Sequence, residues 1–274
     1  GFSKLSKDAK IDWLSTNYIH DDHFNHHIIS DSWYQNEQTQ QVLEGFSENT
    51  ISNFHLPFGL APNFKINGNP YCIPMAIEES SVVAAASAAA KYWLERGGFH
   101  AKVIDTQKVG QVHFYWYGHS EKLKHHFQEI KSLLLDTTTH LTTNMVNRGG
   151  GILNIELLDK TAEEPNYYQL FITFDTCNSM GANFINTILE SFAQTISDYI
   201  SNCIHFSNEE KEVKIIMSIL SNYTPDCLAK AWVECNIEDL GSYNNMDANE
   251  LAEKFYSAVK IAKLDPYRAT THNK

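Results

Sequence analysis

Residues 167–188, YYQLFITFDTCNSMGANFINTI, contain the change from strand to helix on which the fold prediction rests. The aromatic and β-branched run predicts a strand that ends at Asp175. A tight turn through Asn178 follows, and a helix opens near Ser179–Gly181. An apolar stripe with a four-residue period supports the helix: Met180, Phe184, Ile188, Phe192 and Ile196.

The start of this predicted helix is a candidate anion site. The first turn of a helix presents unpaired N–H groups and a partial positive charge, which suit a pyrophosphate. Gly181 and Ala182 would let a ligand approach the backbone, and Asn183 and Asn186 could hydrogen-bond to it. A glycine near a helix start is also typical of tight packing, so both interpretations stay open.

The flanking segments extend this pattern to βαββαβ over residues 106–220. QVHFYWYG, GGGILNIELL and EVKIIMSIL read as strands, and SEKLKHHFQEIKSLLL reads as a helix with apolar residues three and four apart. This order is the split βαβ arrangement of ferredoxin-like domains. The triple glycine at 149–151 precedes a strand, so it is not a P-loop.

The remaining residues, 1–105 and 221–274, predict a larger domain into which the small one is inserted. Short helices are expected before residue 45, and a hairpin with an NGN turn within 48–75. From Ser80 an alanine-rich helix runs to a double glycine, and it is either an ordinary buried helix or a close-packed subunit or domain interface. A strand in CLAKAWVECNI and an amphipathic helix over 247–264 complete the α+β prediction.

Composition excludes several classes of function. The chain has 274 residues and a formal charge of −12, which argues against a nucleic acid or an anionic membrane as its main partner. An RNA-recognition sheet is excluded because residues 106–220 hold 8 basic and 13 acidic residues, so the aromatic residues of the strands are assigned to a core. No apolar run is long enough for a membrane span, and no secretory signal opens the chain. Five cysteines without a CxxC pair predict neither disulfides nor a metal site, and they fit the cytoplasm.

Several long motifs, in order and in register, resemble those of the class II hydroxymethylglutaryl-CoA reductases. They are ENTISNFHLPFGLAPNFKING, IPMAIEESSVVAAASAAAK, NSMGANFINT, ILSNY and DPYRATTHNK. The resemblance extends from about residue 2 to Lys274. It implies a large domain that binds substrate, an inserted ferredoxin-like domain that binds a nicotinamide cofactor, and a four-electron reduction of a coenzyme A thioester to mevalonate.

The resemblance also implies roles for individual residues. Glu48 of the EN motif would serve the proton chemistry, and Lys274 of HNK would stabilise the developing oxyanion. Arg268 would hold the free carboxylate of the hydroxymethylglutaryl group, with Thr271 beside it and Asn222 lining the same pocket. Relatives build active sites between subunits, so a homodimer or higher even oligomer is expected.

Two departures from the family pattern concern the cofactor. Ser179 stands where the family usually has an aspartate, and Asn154 stands where some NADH-using relatives have an aspartate poised for the adenosine ribose. With Met180, Gly181, Ala182 and Asn183, these residues form the predicted cofactor site. Without the carboxylate at 154 a 2′-phosphate meets less repulsion, so NADPH is predicted to be accepted or preferred, with NADH possible.

A further departure is length, because the family polypeptide continues past HNK with an acidic partner for the lysine and a flap that carries a histidine acid. We therefore expect a shortened or nicked form of the family polypeptide. The alternative to an active reductase is a catalytically incomplete protein that only binds coenzyme A or nucleotide, or only pairs with another subunit.

Overall fold

A computed structural model describes residues 1–19 and 26–272 of the chain. The chain divides into two compact units. The first comprises residues 1–99 and everything described from Val233 onwards, and the second comprises His100–Trp232. The second unit therefore interrupts the first in sequence, and its boundaries lie at other residues than the predicted 106–220.

The first unit begins with short helices, as predicted. A 3-10 turn at Phe2–Lys4 precedes α1 (Lys7–Tyr18), α2 (His26–Ser30) and α3 (Glu37–Glu44). Two of them have side-chain caps: Ser6 accepts from Ala9 N–H, and Asn36 accepts from Thr39 N–H.

A β-hairpin and the alanine-rich helix follow in the same unit. Strands β1 (Phe58–Ile66) and β2 (Asn69–Ala76) pair antiparallel around Asn67–Gly68. Both turn residues have positive φ, 50° and 86°, which is the twist of a two-residue hairpin turn. Helix α4 (Val82–Leu94) packs on β1, and Ala90 is its only buried residue. The predicted hairpin and the predicted alanine-rich helix are both confirmed.

The first unit ends with helices that lead to the C-terminus. A 3-10 turn at Ile237–Leu240 precedes α7 (Ala248–Leu264) and α8 (Pro266–His272). Helix α7 starts with a reciprocal capping box between Asp247 and Glu250, which satisfies two backbone donors. The predicted amphipathic helix at 247–264 is thus confirmed. Helix α8 was not predicted.

The second unit is built on one antiparallel sheet. Its strands are β3 (His100–Trp116), β4 (Gly151–Asp159), β5 (Tyr167–Asp175), β6 (Val213–Ser221) and β7 (Cys227–Trp232). The main path runs β4-β5-β3-β6. Strand β7 pairs with the first part of β3, opposite His100–Thr106, and so belongs to this unit.

Two long helices, α5 (Ser120–Val146) and α6 (Ala182–Asn202), form the core of this unit with one face of the sheet. Gly110 allows the close approach, because a Cβ there would lie 2.7 Å from a Leu189 methyl carbon. Four of the strand aromatic residues that the sequence assigned to a core lie in it, namely Phe114, Trp116, Tyr168 and Phe174. The others do not, because Tyr115, Tyr167 and Phe171 are only partly buried and Tyr117 is exposed. Helix α6 packs on the sheet through the expected stripe, except that Met180 precedes the helix and is 69% exposed.

The opposite face of the sheet carries a row of hydrogen-bonded polar side chains. Gln111 donates to Gln169, which donates to the Tyr167 hydroxyl. The hydroxyl in turn lies 2.7 Å from His113 Nδ1, and the two rings are stacked. Burial lowers the pKa of His113.

No helix in the described part of the chain is both long and apolar enough to cross a membrane.

Candidate functional site

The triple glycine and the turn after β5 meet at one end of the sheet. Gly150 lies so close to this turn that a Cβ would come within 2.5 Å of the Asp175 carbonyl oxygen and 2.9 Å of Cys177 Sγ. Cys177 Sγ donates to the carbonyl of Arg148 at 3.3 Å. Only glycine fits at 150, because any side chain would separate the two segments.

Asp175 shapes the turn after β5. Its carboxylate accepts from Cys177 N–H at 2.7 Å and from the Thr106 hydroxyl of β3 at 3.1 Å. Cys177 has φ +52°, a conformation that costs energy for a residue with a side chain. The Asp175 bond offsets part of that cost and directs the chain away from the strand.

Thr176 and Ser179 close the turn with reciprocal bonds. The Thr176 hydroxyl donates to Ser179 O at 2.7 Å, while Ser179 N–H and Oγ donate to Thr176 O at 3.1 and 2.8 Å. Thr176 is almost fully buried. The Ser179 hydroxyl is therefore used inside the turn, where it holds the backbone shape.

The N-terminus of α6 lacks a side-chain cap within the described residues. Gly181 is the N-cap residue at φ +77°, and the first helical bond runs from Ile185 N–H to Gly181 O. The first turn contains no acidic residue. The N–H groups of Ala182 and Asn183 therefore have no side-chain cap, which is the feature on which the predicted anion site depends.

Exposure around this helix start is consistent with ligand access. Met180 and Asn183 are exposed, and Gly181 and Ala182 are partly exposed. Asn186 has another role than the one proposed for it, because its Oδ1 accepts from Leu220 N–H of β6 at 3.0 Å. It ties α6 to the sheet.

Asn154 lies on β4, one of the two edge strands of the main path. A bulge at Leu153 shifts the register, so that Asn154 opposes Thr173. The Asn154 amide donates to Glu156 Oε1 at 2.7 Å and accepts from Lys131 Nζ of α5 at 2.9 Å. Sequence reasoning missed Lys131, which stands 23 residues from Asn154 and has no motif of its own.

The described residues that were expected to bind the substrate or to transfer protons all lie at exposed positions. Glu48 lies in an exposed turn after α3, Asn222 lies exposed after β6, and Arg268 and Thr271 are exposed on α8. Thr271 donates to Tyr267 O within its own helix. Among the described residues of the first unit, no hydrogen bond or ion pair joins Glu48, Arg268 and Thr271 to one another. Lys274 lies outside the described residues.

Curated relatives carry the same name as the family indicated by the motifs. A 3-hydroxy-3-methylglutaryl-coenzyme A reductase of Archaeoglobus fulgidus is 32% identical over 235 residues, which cover 85% of this chain and 50% of the relative. A probable 3-hydroxy-3-methylglutaryl-coenzyme A reductase of Borreliella burgdorferi is 32% identical over 243 residues, which cover 88% of this chain and 52% of the relative. The chain spans about half the length of these relatives.

Solved structures and a family model agree with them. A 3-hydroxy-3-methylglutaryl-coenzyme A reductase of Streptococcus pneumoniae matches with a TM-score of 0.71 and 31% identity, over 100% of this chain and 69% of that one. A class II structure from the same organism, bound to NADPH in open conformations, matches with a TM-score of 0.71, 32% identity and the same coverage. The family model for hydroxymethylglutaryl-coenzyme A reductase matches residues 9–274. The chain therefore belongs to the hydroxymethylglutaryl-coenzyme A reductase family.

Proposed function

We propose that this chain acts in the reduction of hydroxymethylglutaryl-CoA to mevalonate, with NADPH as the source of two hydrides. The observation that carries the proposal is the match of the family model over residues 9–274. The uncapped start of α6, next to the close contact of Gly150 with the turn after β5, supports a phosphate-bearing cofactor there. NADH is the alternative cofactor.

The inserted unit is proposed to be a ferredoxin-like cofactor domain. Its element order is β3-α5-β4-β5-α6-β6, and its strands lie in the order β4-β5-β3-β6 with antiparallel neighbours. This is the βαββαβ order of that class of domain. We assign nicotinamide cofactor binding to this domain and substrate binding to the rest of the chain. The bound cofactor supplies the hydrides, and the site residues Ser179, Met180, Gly181, Ala182 and Asn183 form the backbone surface on which its pyrophosphate would lie.

The substrate residues are proposed from the family motifs. Glu48 would handle protons during the reduction, and Lys274 would stabilise negative charge on the thioester oxygen. A fixed cation directed at developing charge in a dry site contributes on the order of 3 kcal/mol.

The free carboxylate of the acyl group is proposed to pair with Arg268. A guanidinium can form two parallel bonds to a carboxylate, and Arg268 is exposed on α8. Thr271 and Asn222 are assigned to the same pocket.

We also propose that the chain works as a homodimer or higher even oligomer, with Glu48 and Lys274 of one site on different copies. Two exposed apolar surfaces in the first unit support this. Helix α7 exposes Phe255, Tyr256, Val259 and Leu264, and α4 exposes several of its alanines. Large apolar side chains on a helix that is not part of a core are typical of subunit interfaces. The five cysteines are free thiols, which supports a cytoplasmic location.

The decisive experiment measures consumption of NADPH by the purified chain in the presence of hydroxymethylglutaryl-CoA. Turnover that disappears in Glu48→Gln, while NADPH binding persists, would confirm the proposal. Equal turnover in Glu48→Gln would refute the role of this carboxylate.

The second candidate is a protein that binds coenzyme A or nucleotide, or pairs with another subunit, without turnover. The exposed apolar side chains of α7 favour pairing. Binding of NADPH with no consumption in any mixture of substrate and chain would select this candidate.

A further inference from the structure

Cys227 and Lys108 form a close contact between two strands of the second unit. Lys108 Nζ donates to Cys227 Sγ at 2.7 Å, although 119 residues separate the two in sequence. Cys227 is the first residue of β7, and Lys108 lies in the middle of β3. Both residues are only partly buried, so a small solute can reach the sulfur.

The strand register explains why these two side chains meet. Thr106 is the cross-strand partner of Cys227, and Lys108 follows two residues further along β3 on the same face. A long side chain reaches such a diagonal neighbour across an antiparallel pair. The β7 ladder ends at Thr106 and the β6 ladder begins at Val109, so Lys108 lies in the gap between the two ladders.

The chemistry of the pair suits a reaction better than a structural tie. A thiol sulfur is a weak hydrogen-bond acceptor, so the contact contributes little to stability. Reactive cysteines are typically partly exposed and lie beside a cation, and Cys227 meets both conditions. The nitrogen that supplies the cation is also a nucleophile once it loses a proton, and it is already in contact with the sulfur.

We propose that Cys227 and Lys108 are a peroxide-sensitive pair that forms a reversible covalent cross-link between β7 and β3. The Cys227 thiolate attacks one oxygen of hydrogen peroxide, the O–O bond breaks, and a sulfenic acid forms while hydroxide leaves. The hydroxide takes one proton from the Lys108 ammonium and becomes water. The neutral amine then attacks the sulfenic sulfur, an S–N bond forms, and the sulfenic oxygen leaves as a second water.

The electrons balance with one peroxide. The sulfur loses two electrons, and the peroxide gains them as it becomes two molecules of water. Two equivalents of a thiol reductant reverse the change, because the S–N bond breaks, the thiol and the amine return, and the reductant becomes a disulfide. The cross-link would join the start of β7 to β3 beside residues 222–226, and it does not depend on the proposed reductase activity.

Peptide mass mapping of the full chain after treatment with hydrogen peroxide tests the proposed cross-link. The chain is digested with trypsin before and after reduction with dithiothreitol, and dimedone is added to a parallel sample to trap any sulfenic acid. Cys227→Ser removes the sulfur, and Lys108→Arg keeps the cation but replaces the amine with a poor nucleophile. Cys72 on β2 is the internal control, because it is an exposed thiol and reports oxidation that depends on exposure alone.

We expect a pair of peptides joined through Lys108 and Cys227, lighter than their sum by two hydrogen atoms and separated again by dithiothreitol. The joined pair should be lost completely in Cys227→Ser and in Lys108→Arg. In Lys108→Arg the dimedone label on Cys227 should rise severalfold, because the sulfenic acid is no longer consumed by the amine. Thermal unfolding of both variants checks that they are folded.

Oxidation of Cys227 to a sulfenic or sulfinic acid without a link to Lys108 would overturn the proposed cross-link. So would a Cys227 that stays reduced at a peroxide dose that oxidises Cys72. Both results are measured on the unmodified chain, so they hold even if a variant fails to fold. A joined pair that persists in Lys108→Arg would assign the nitrogen to another residue and would also contradict the proposed pair.

Discussion

Thr176 occupies the space into which a side chain at residue 181 would project. A Cβ on Gly181 would lie 2.3 Å from Thr176 Cγ2 and 2.7 Å from Thr176 Cβ. Thr176 is buried and bonded to Ser179, so it has no room to withdraw. The start of α6 thus depends on the combination of a threonine at 176 and a glycine at 181.

Substitution Gly181→Ala is expected to destabilise the chain and to weaken NADPH binding. The alanine would meet both a positive φ and a steric overlap, so the free energy of unfolding should fall by roughly 2–3 kcal/mol. Gly149→Ala is the control, because Gly149 also has a positive φ but a Cβ there meets nothing within 4 Å. Its cost should be about 1 kcal/mol. Equal losses in denaturant unfolding would show that the overlap with Thr176 has no effect.

Removal of the Thr176 hydroxyl should loosen the turn. Thr176→Val keeps the volume but leaves Ser179 O without its donor, which costs about 1–2 kcal/mol of unfolding free energy. Thr176→Ser retains the hydroxyl and should retain cofactor affinity. Urea denaturation and NADPH titration provide the measurements. A serine variant that binds as weakly as the valine variant would exclude the hydrogen bond as the cause.

Asn154→Asp should shift cofactor preference toward NADH. The new carboxylate would pair with Lys131 Nζ, now 2.9 Å from the amide oxygen, and would repel a 2′-phosphate. We expect the ratio of dissociation constants to change by about tenfold against NADPH. Asn208→Asp, in the exposed segment between α6 and β6, controls for added negative charge. An unchanged ratio in Asn154→Asp would place the ribose elsewhere.

Stability should fall in mild acid because of His113. Burial lowers its folded-state pKa below the ordinary 6.5, so the unfolded chain binds the proton more readily. This contribution is complete above pH 6.5 and is lost as the pH falls from there through the folded pKa. The groups that face His113 are the Tyr167 hydroxyl, with Met217 and Gln169 as cross-strand neighbours, and they offer no carboxylate to stabilise the cation.

Thermal unfolding of the unmodified chain and of His113→Gln, compared between about pH 5 and pH 8, tests this assignment. The stability of the His113→Gln variant should decline less between neutral and acidic pH than that of the unmodified chain. An identical pH profile in both proteins would assign the decline to other groups.

Most elements were predictable from the sequence because each of them has a local signal. The aromatic and β-branched runs marked β5 and β6, and Asn67–Gly68 marked the hairpin turn. The start of α6 was predictable for the same reason. Helix α8 was not predicted, because the sequence from Asp265 onwards was interpreted only as a source of substrate-binding residues. Its residues show no apolar periodicity that would indicate a helix.

The contacts between elements were not predictable from one sequence. Lys131 reaches Asn154 only because α5 packs beside β4, and Asn186 binds Leu220 only because α6 crosses β6. The first contact places Lys131 beside Asn154 of the proposed cofactor site, and the second gives Asn186 a structural role instead of a ligand. Both depend on tertiary packing, of which neither local propensity nor periodicity gives a sign.

Strand β3 takes part in three ladders at once. Residues 100–106 pair with β7, residues 107–115 pair with β5, and residues 109–116 pair with β6 on the other side. Because side chains alternate between faces, a shift of β3 by one residue would turn Val112 and Phe114 out of the core. The register of the β3–β7 ladder is therefore fixed by the burial of β3 side chains that lie several residues away. If β7 paired with β3 in another register, β3 could not shift to restore the native one. Strand β7 would then have to change its own register or remain unpaired.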